Sequence, residues 1–432
     1  MSDRGKRHRV TRRGVNAGIG AALISPALIP ARAFAQGAGE PIKIGFGMAL
    51  TGPLAVNGKQ ALLGTQIWQE EVNAKGGLLG RQVQLINYDD QSNPANVPGI
   101  YTKLLEVDKV DLVVSGYATN MIAPAIPVVM QRNKTFISLF ALDANSEFKY
   151  PRYFSYIPTG GPNPKQTISE GFFQVAAAQK PKPKTLAIAA EDAEFSRNAA
   201  EGARANAKQY GFDIVYDKSY PPTTADFSPV IRAIQAVNPD LVVICSYPLS
   251  SVGMLLSANE LGLKPKMMGG AMVGLQATAI KDKLKGKLNG VINYDNWVPS
   301  SKMMTPAADF FKKYQARAAG QGVDPLGYYL GGWGYAYLQV LAQAVEGTKS
   351  IDDAKIADYL RGNAVNSIMA EGVKFGKNGE WVKAHQLQVQ YHDITDGANL
   401  ETWRGMSYQT VLKPDEEKTG DVIYPYANAV KA

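Results

Sequence analysis

The sequence predicts an α/β fold of two doubly wound lobes joined by three crossovers. Two observations carry that prediction. Short apolar strand runs alternate with amphipathic helical stretches at the spacing of βαβ units, which implies a parallel sheet with helices on both faces. The alternation then stops in a Tyr/Pro/Gly-rich segment, 151–164, and restarts with a similar layout. A chain of 432 residues, 45% of them hydrophobic, is long enough for two or three domains with real cores.

The elements follow in chain order. Ile42 to Met48 alternates and reads as the first strand, and Thr51-Gly52-Pro53 as a turn. A helix is expected from about Asn57 to Lys75, with Leu62, Leu63, Ile67 and Val72 on its apolar stripe and Gly76-Gly77 stopping it. Gln82 to Tyr88 reads as a second strand. Asp89-Asp90 reads as turn and capping carboxylates, and Asn93 or Asn96 as the cap of the next helix, with Pro98 favouring the later start.

Val110 to Val114 is a third strand and Asn120 to Arg132 a helix, with Ser115-Gly116 turning between them and Thr119 and Asn120 as N-cap types. A helix start leaves N–H groups unpaired and carries partial positive charge, so this turn is a candidate seat for an anionic head group. Thr135 to Phe140 closes the first run of strands.

After the segment 151–164 come strands at Thr185–Ala190, Phe212–Tyr220, Leu241–Ser246 and Lys266–Gly269. Between them fall helices at Phe195–Tyr210, Asp226–Val237 and Ser250–Gly262. Val291 to Trp297 reads as the crossing back. Helices around 306–319, 327–345 and 352–360 then complete the first lobe. A hairpin-like turn at Val373 to Glu380 lies near a third crossing, and Leu387 to His392 is a late strand. Lobe 1 is thus expected to comprise 41–160 and 297–372, and lobe 2 161–296 and 373–432. In open parallel sheets ligands bind outside the carboxyl ends of the strands, so the site falls in the cleft between the lobes, with the crossings as hinges.

The net charge of +8 is misleading, because seven basic residues (Arg4, Lys6, Arg7, Arg9, Arg12, Arg13 and Arg32) against Asp3 place +6 of it in residues 1–35. The rest is near neutral, which argues against a nucleic-acid partner. Residues 1–35 read as an export signal. Basic residues with the pair Arg12-Arg13 precede a Gly/Ala-rich apolar segment, and Ala33-Phe34-Ala35 gives the cleavage pattern. The paired arginines suggest the twin-arginine route; a disordered basic tail is the plainer alternative. The apolar segment is too short and too broken by Asn16 and Pro26 to span a bilayer. A soluble, monomeric periplasmic protein is expected.

The single cysteine, Cys245, allows no internal disulfide and reads as a buried strand residue. His385 and His392 lack metal-ligand spacing. Gly45-Phe46-Gly47 lacks the third glycine of a dinucleotide fingerprint, and neither a phosphate loop nor a nucleophile elbow is found. The expectation is a protein that is not an enzyme and uses no cofactor or metal. The aromatic group Tyr328, Tyr329, Trp333, Tyr335 and Tyr337 reads as the packing face of a helix, with a ligand platform as the alternative.

Several stretches together resemble the leucine/isoleucine/valine-binding protein family. They are Met48-Ala49-Leu50-Thr51-Gly52-Pro53-Leu54 with Gly58, Val72-Asn73-Ala74-Lys75-Gly76-Gly77, and Tyr88-Asp89-Asp90. Further on come Asp226-Phe227-Ser228, Asp240-Leu241-Val242-Val243 and Ala258 to Gly262. These are type I periplasmic solute-binding proteins of ABC importers, and the resemblance covers most of 41–393. It implies two Rossmann-like lobes with three crossovers, capture of a small molecule by lobe closure, and delivery to membrane permease subunits.

By the same resemblance Thr119 stands where a hydroxyl binds the ligand carboxylate, beside backbone groups at Tyr117 and Ala118. Phe140-Ala141-Leu142 matches the next ligand segment, Phe195 an aromatic of the second lobe, Tyr247 a cleft tyrosine, and Asn57 a cleft position in the first loop. Two positions depart from the family. Leu142 stands where amino-acid binders usually carry Thr or Ser, and Ala271 where they carry an acidic partner for the α-ammonium. A buried ammonium without a partner costs several kcal/mol. The expected ligand is therefore an aromatic or aliphatic carboxylic acid, with a branched-chain amino acid or amide as the alternative. A periplasmic ligand sensor remains a second functional class, and an enzyme on a related scaffold a third.

Overall fold

The computed structural model describes residues 39–430. The expected export signal lies outside them. In chain order the strands are β1 (Ile42–Met48), β2 (Val83–Asp89), β3 (Leu112–Tyr117), β4 (Phe136–Leu139), β5 (Tyr153–Ser155), β6 (Thr185–Glu191), β7 (Asp213–Tyr220), β8 (Leu241–Ser246), β9 (Met267–Met272), β10 (Val291–Asp295), β11 (Leu387–Tyr391) and β12 (Gln409–Lys413). The helices are α1 (Ala55–Ala74), α2 (Val97–Glu106), α3 (Thr119–Ile122), α4 (Ile126–Gln131), α5 (Pro164–Ala177), α6 (Glu194–Tyr210), α7 (Ser228–Val237), α8 (Pro248–Glu260), α9 (Thr278–Leu284), α10 (Ser301–Ala318), α11 (Gly331–Thr348), α12 (Asp353–Gly362) and α13 (Leu400–Trp403).

These strands form two sheets. The first has the order β2-β1-β3-β4-β5 and is parallel throughout. The second has the order β12-β11-β10-β9-β8-β6-β7, in which β7 to β10 repeat the parallel winding of the first. Both therefore reverse strand order next to their first strand, at β1/β3 and at β6/β8. The second sheet gains two antiparallel strands, β11 and β12, at its β10 edge. The chain passes between sheets after β5, after β10 and before β11, which gives the three crossovers.

Buried apolar side chains make the strands. The runs Leu112–Val114 and Leu241–Cys245 are almost wholly inaccessible, as strands covered on both faces must be. Cys245 lies among them, and burial pushes its thiol up to about 12, so it is an inert core residue. α1 and α11 pack backbone to backbone because Gly64 faces the Gly331 carbonyl and Gly334 faces Ala61; a Cβ at either would collide. Gly76 and Gly77 end α1 at positive φ, as their position after the apolar stripe implies.

Some elements differ from the sequence reading. Asn120 to Arg132 is not one helix: α3 is four residues long, Ala123–Ala125 is a 3-10 turn, and α4 follows. Pro124 and Pro127 supply no N–H to a continuous ladder, and this breaks the run. Ala118, not Thr119 or Asn120, is the N-cap, and no side chain caps it. The Pro151–Pro164 segment hides β5, which is only three residues long. α5 and α9 have weak apolar periodicity and were not expected. Tyr328 and Tyr329 precede α11 instead of lying on it. The polar tail beyond Thr395 holds α13 and β12. Asn96 does flank α2, as Pro98 suggests, but the Asn93 side chain caps the preceding 3-10 turn.

Candidate functional site

The loops at the two points of strand reversal face each other. From the first sheet come the start of α1 (after β1), the β3–α3 turn and the β4 exit. From the second come the β6–α6 turn and the β8–α8 turn. These are the carboxyl ends of parallel strands at a topological switch point, where open α/β sheets bind ligands.

Named side chains meet there. Asn57 Nδ2 donates to the Tyr117 hydroxyl at 3.1 Å. The Tyr329 hydroxyl lies 3.4 Å from Tyr117 Oη and 3.1 Å from Tyr294 Oη. Phe140 packs against Tyr329 and Trp333, with ring centroids 5.8 and 5.3 Å apart. Phe195 packs against Tyr247 and Tyr294 at 5.7 and 6.2 Å. A continuous aromatic wall thus runs from the first sheet to the second. Burial pushes the Tyr117 phenol up to about 12 and the phenols of Tyr247, Tyr294 and Tyr329 well above their ordinary value. All four stay protonated and able to donate.

Thr119 opens α3 and is fully buried. Its Oγ1 accepts from Leu142 N at 3.0 Å, which leaves the hydroxyl proton available to another acceptor. Beside it Ala118 and Phe140 hold positive φ of 82° and 63°, conformations that cost energy for residues with a side chain and that cluster at functional sites. Asn57 Oδ1 is buried without a partner, so the site carries an unused acceptor as well as donors.

Two hydrogen bonds tie the facing loops. The Tyr247 hydroxyl donates to Asn120 Oδ1 at 2.5 Å, and Asn198 Nδ2 of α6 donates to the Leu142 carbonyl at 2.9 Å. The cleft is shut in this structure. At its mouth lies a cavity of about 480 Å³ lined by Pro53, Leu54, Asn120, Glu191, Glu194 and Tyr247. Glu191 accepts from Tyr247 N at 2.8 Å. Burial lifts both carboxyls, Glu194 to about 7, with Arg197 opposing the shift.

Of the residues named from sequence, Asn57, Tyr117, Ala118, Thr119, Phe140, Leu142, Phe195 and Tyr247 come together in this way. Ala141 is buried between Phe140 and Leu142, and its carbonyl accepts from Ser155 Oγ at 3.2 Å. Ala271 lies inside β9 opposite Cys245, one rung short of the strand end. Four residues join that were not expected in the site: Asn120, read only as an N-cap type, Tyr329, read as helix packing, and Asn198 and Tyr294. Tyr294 fell in the segment 291–297 read as a crossing, whose first five residues are in fact β10, and Tyr329 was hidden in an aromatic cluster that resembled helix packing. Asp89 is a turn residue as expected: it accepts from Leu50 N, Thr51 N and Gln91 N, and fastens the loop after β1. Among the described residues no group of His, Cys, Asp or Glu could hold a metal ion.

Two doubly wound lobes closing on a site built from both switch points define a cleft-closing solute-binding protein. Comparison with known proteins agrees. The sequence profile of the family described as periplasmic binding protein matches residues 41–392. Leu/Ile/Val-binding protein homolog 7 of Brucella abortus is 26% identical over 387 residues, covering 86% of this chain and 94% of its own. A branched-chain amino acid transporter substrate binding protein of Streptococcus pneumoniae, solved in complex with isoleucine, superposes with a TM-score of 0.70 at 19% identity, covering 87% of this chain and all of that one. A solute binding protein of an ABC transporter from Rhodopseudomonas palustris, solved with 3,4-dihydroxy benzoic acid, does so at 0.65 and 18% identity, covering 81% and 92%.

The chain belongs to the leucine/isoleucine/valine-binding protein family of type I periplasmic binding proteins. Its members are exported, bind small-molecule solutes and serve ABC permeases; they are not a family of enzymes. Among the described residues no helix is long and apolar enough to cross a membrane.

Proposed function

We propose that this protein captures a small carboxylate-bearing solute, with an aromatic or aliphatic body, for an ABC importer. The reading rests on Thr119. Its hydroxyl is held by the Leu142 N–H and keeps its own proton for an anionic head. Ala118 and Thr119 open a helical turn whose first N–H groups have no intrahelical partner. Because α3 is so short, the attraction comes from these local donors and not from a long helix dipole. Phe140, Phe195, Tyr247 and Tyr329 supply apolar faces for the body of the ligand. Leu142 and Ala271 offer neither a hydroxyl nor a carboxylate to an α-ammonium.

The fold alone does not choose the ligand, since the two solved neighbours hold an amino acid and an aromatic acid on the same scaffold. One observation favours the amino-acid reading. Glu191 and Glu194 line the cleft mouth beside Tyr247, and either could pair an ammonium in place of the missing acid at 271. A thermal-shift screen of the mature protein separates the two. A shift of several degrees with benzoate-type or aliphatic acids and none with leucine, isoleucine or valine supports the acid. The reverse pattern replaces it with a branched-chain amino acid. The protein is expected to act as a monomer, with 41–160 and 297–372 moving as one lobe against the remainder.

A further inference from the structure

The turn at Leu142 and Asp143 is gripped from the second sheet. Both residues follow β4 of the first sheet, and that side fixes their backbone. Leu142 N donates to Thr119 Oγ1 at 3.0 Å, and Ser155 Oγ to Ala141 O at 3.2 Å. Ser146 Oγ donates to Asp143 O at 2.8 Å. Asn145 Nδ2 closes the loop on Tyr150 O at 3.0 Å and ties it to Asn378 O near the third crossing at 3.1 Å. The loop therefore presents two acceptors in a fixed geometry, the Leu142 carbonyl and the Asp143 carboxylate.

Their partners come from α5 and α6, which pack on the second sheet. Asn198 Nδ2 donates to Leu142 O at 2.9 Å and is the one donor that this carbonyl has among the described residues. Lys165 Nζ lies 3.6 Å from Asp143 Oδ2 and 2.8 Å from Glu201 Oε2. The Lys165 and Asp143 side chains are 26% and 19% exposed, so salt screens this pair less than a fully exposed one. Gly202 lets the Lys165 backbone rest directly on α6, where a Cβ would strike the carbonyl. Phe195, Asn198 and Glu201 recur at intervals of three and lie along one side of α6. The helix that gives Phe195 to the cleft thus also carries Asn198, and it holds Lys165 through Glu201.

We propose that Asn198 and Lys165 form a latch: they are positioning residues that hold the cleft shut once a solute has entered, and they set how fast it leaves. Neither has to touch the solute. A solute lodged between Thr119 and Phe195 brings α6 up to the β4 exit. One neutral hydrogen bond and one ion pair then hold the shut form, and both break when α6 withdraws from the loop. Contacts made after entry slow reopening and leave the encounter itself unchanged. The ion pair makes retention depend on ionic strength. The latch rests on the cleft being the place of capture and not on which solute it takes.

The probes are isoleucine and 3,4-dihydroxybenzoate. The one that the unaltered protein binds more tightly is followed by stopped-flow tryptophan fluorescence. Asn198→Ala is expected to raise the release rate roughly twofold to tenfold, and Lys165→Gln roughly twofold to fivefold at low salt. Association stays within about twofold in both variants. At about 1 M salt, where screening acts over about 3 Å, the unaltered protein releases the probe as fast as Lys165→Gln. Lys165→Arg keeps the charge and most of the slow release. Asp143→Asn adds nothing to Lys165→Gln, since both remove the same pair. Unchanged release in both Asn198→Ala and Lys165→Gln, or a Lys165→Gln effect that is the same at low and high salt, overturns the latch. A second readout needs no added solute. Nitroxides on Gln131→Cys and Lys208→Cys, exposed residues beside the first and second sheets, report the inter-lobe distance by pulsed electron resonance. Cys245 is buried and takes no label. The short distance is expected in the unaltered protein and is depopulated when Asn198→Ala and Lys165→Gln are combined; identical distance distributions overturn the latch. Failure of both probes to bind speaks against the solute classes named for the cleft, and the distance measurement then decides the latch by itself.

Discussion

The Tyr247 hydroxyl and the Asn120 amide oxygen, 2.5 Å apart, join the β8–α8 turn of one sheet to the β3–α3 turn of the other. The bond exists only when the cleft is shut, so it contributes to the equilibrium between open and closed forms. A solute binds tightly only to the extent that the closed form is accessible.

Tyr247→Phe removes that bond and keeps the ring against Phe195. A neutral hydrogen bond contributes about 0.5–1.5 kcal/mol net. The expected loss of affinity for the co-purifying solute is therefore roughly twofold to tenfold, read by calorimetric titration. Thermal stability of the unliganded variant should change little. Unchanged affinity would mean that closure does not use this contact.

Thr119→Val tests the anion seat. A hydrogen bond to a charged group is worth about 1.5–3 kcal/mol, so binding should weaken roughly tenfold to 150-fold. Valine also leaves the buried Leu142 N–H without its acceptor, which should cost about 1–3 kcal/mol of stability. Thr119→Ser retains the hydroxyl and should restore most of both. Wild-type affinity in the valine variant would remove Thr119 from the head-group site.

Much of the fold was legible because strand and helix periods are local properties. β1, β3, β6 and β8 are mainly apolar runs of strand length, and α1 and α6 are stopped by glycines, Gly76-Gly77 and Gly211. The breaks came where long-range packing decides. β5 is three residues inside a Pro/Gly-rich segment, and it is a strand only because β4 lies beside it. The α3–α4 break was visible in Pro124 and Pro127 but was outweighed by the apolar run around them. For the site, the switch-point loops could be read from strand order and from the motif around Thr119. Tyr294 and Tyr329 could not, because their hydroxyls meet across 35 residues of chain and tyrosine is as common in cores as in clefts. The partners of Asn120 and Asn198 likewise depend on how the lobes face each other.

Gly64→Ala tests the close approach of α1 and α11. A methyl at 64 would run into the Gly331 carbonyl and the Tyr335 N–H, both rigid backbone. The helices must separate, at a cost of about 1–3 kcal/mol as for other overpacked cores. The expected readout is a melting temperature lower by several degrees, with solute affinity largely kept, since Gly64 lies outside the cleft cluster. A neutral substitution would show that α1 slides freely on α11.

Glu380 gives a pH-dependent stability with a definite sign. It is 1% exposed at the third crossing, and neither carboxylate oxygen has a partner. Burial first, and then the charge of Asp143, lift it to about 8 from an ordinary value of 4.5, with Ser155 opposing. A folded-state value above the unfolded one means that the folded protein holds the proton more tightly. Below about pH 4.5 both states are protonated and the group costs nothing through ionisation. Between 4.5 and 8 the unfolded chain ionises first, so this group lowers stability progressively, and the full penalty stands above about 8. Glu380→Gln keeps the shape and removes the titration. The melting-temperature difference between Glu380→Gln and the unaltered protein should be near zero at pH 4 and grow steadily in favour of glutamine up to pH 8 or 9. A difference independent of pH, or one that favours glutamate at high pH, would show that the carboxylate is ionised and solvated in the folded protein.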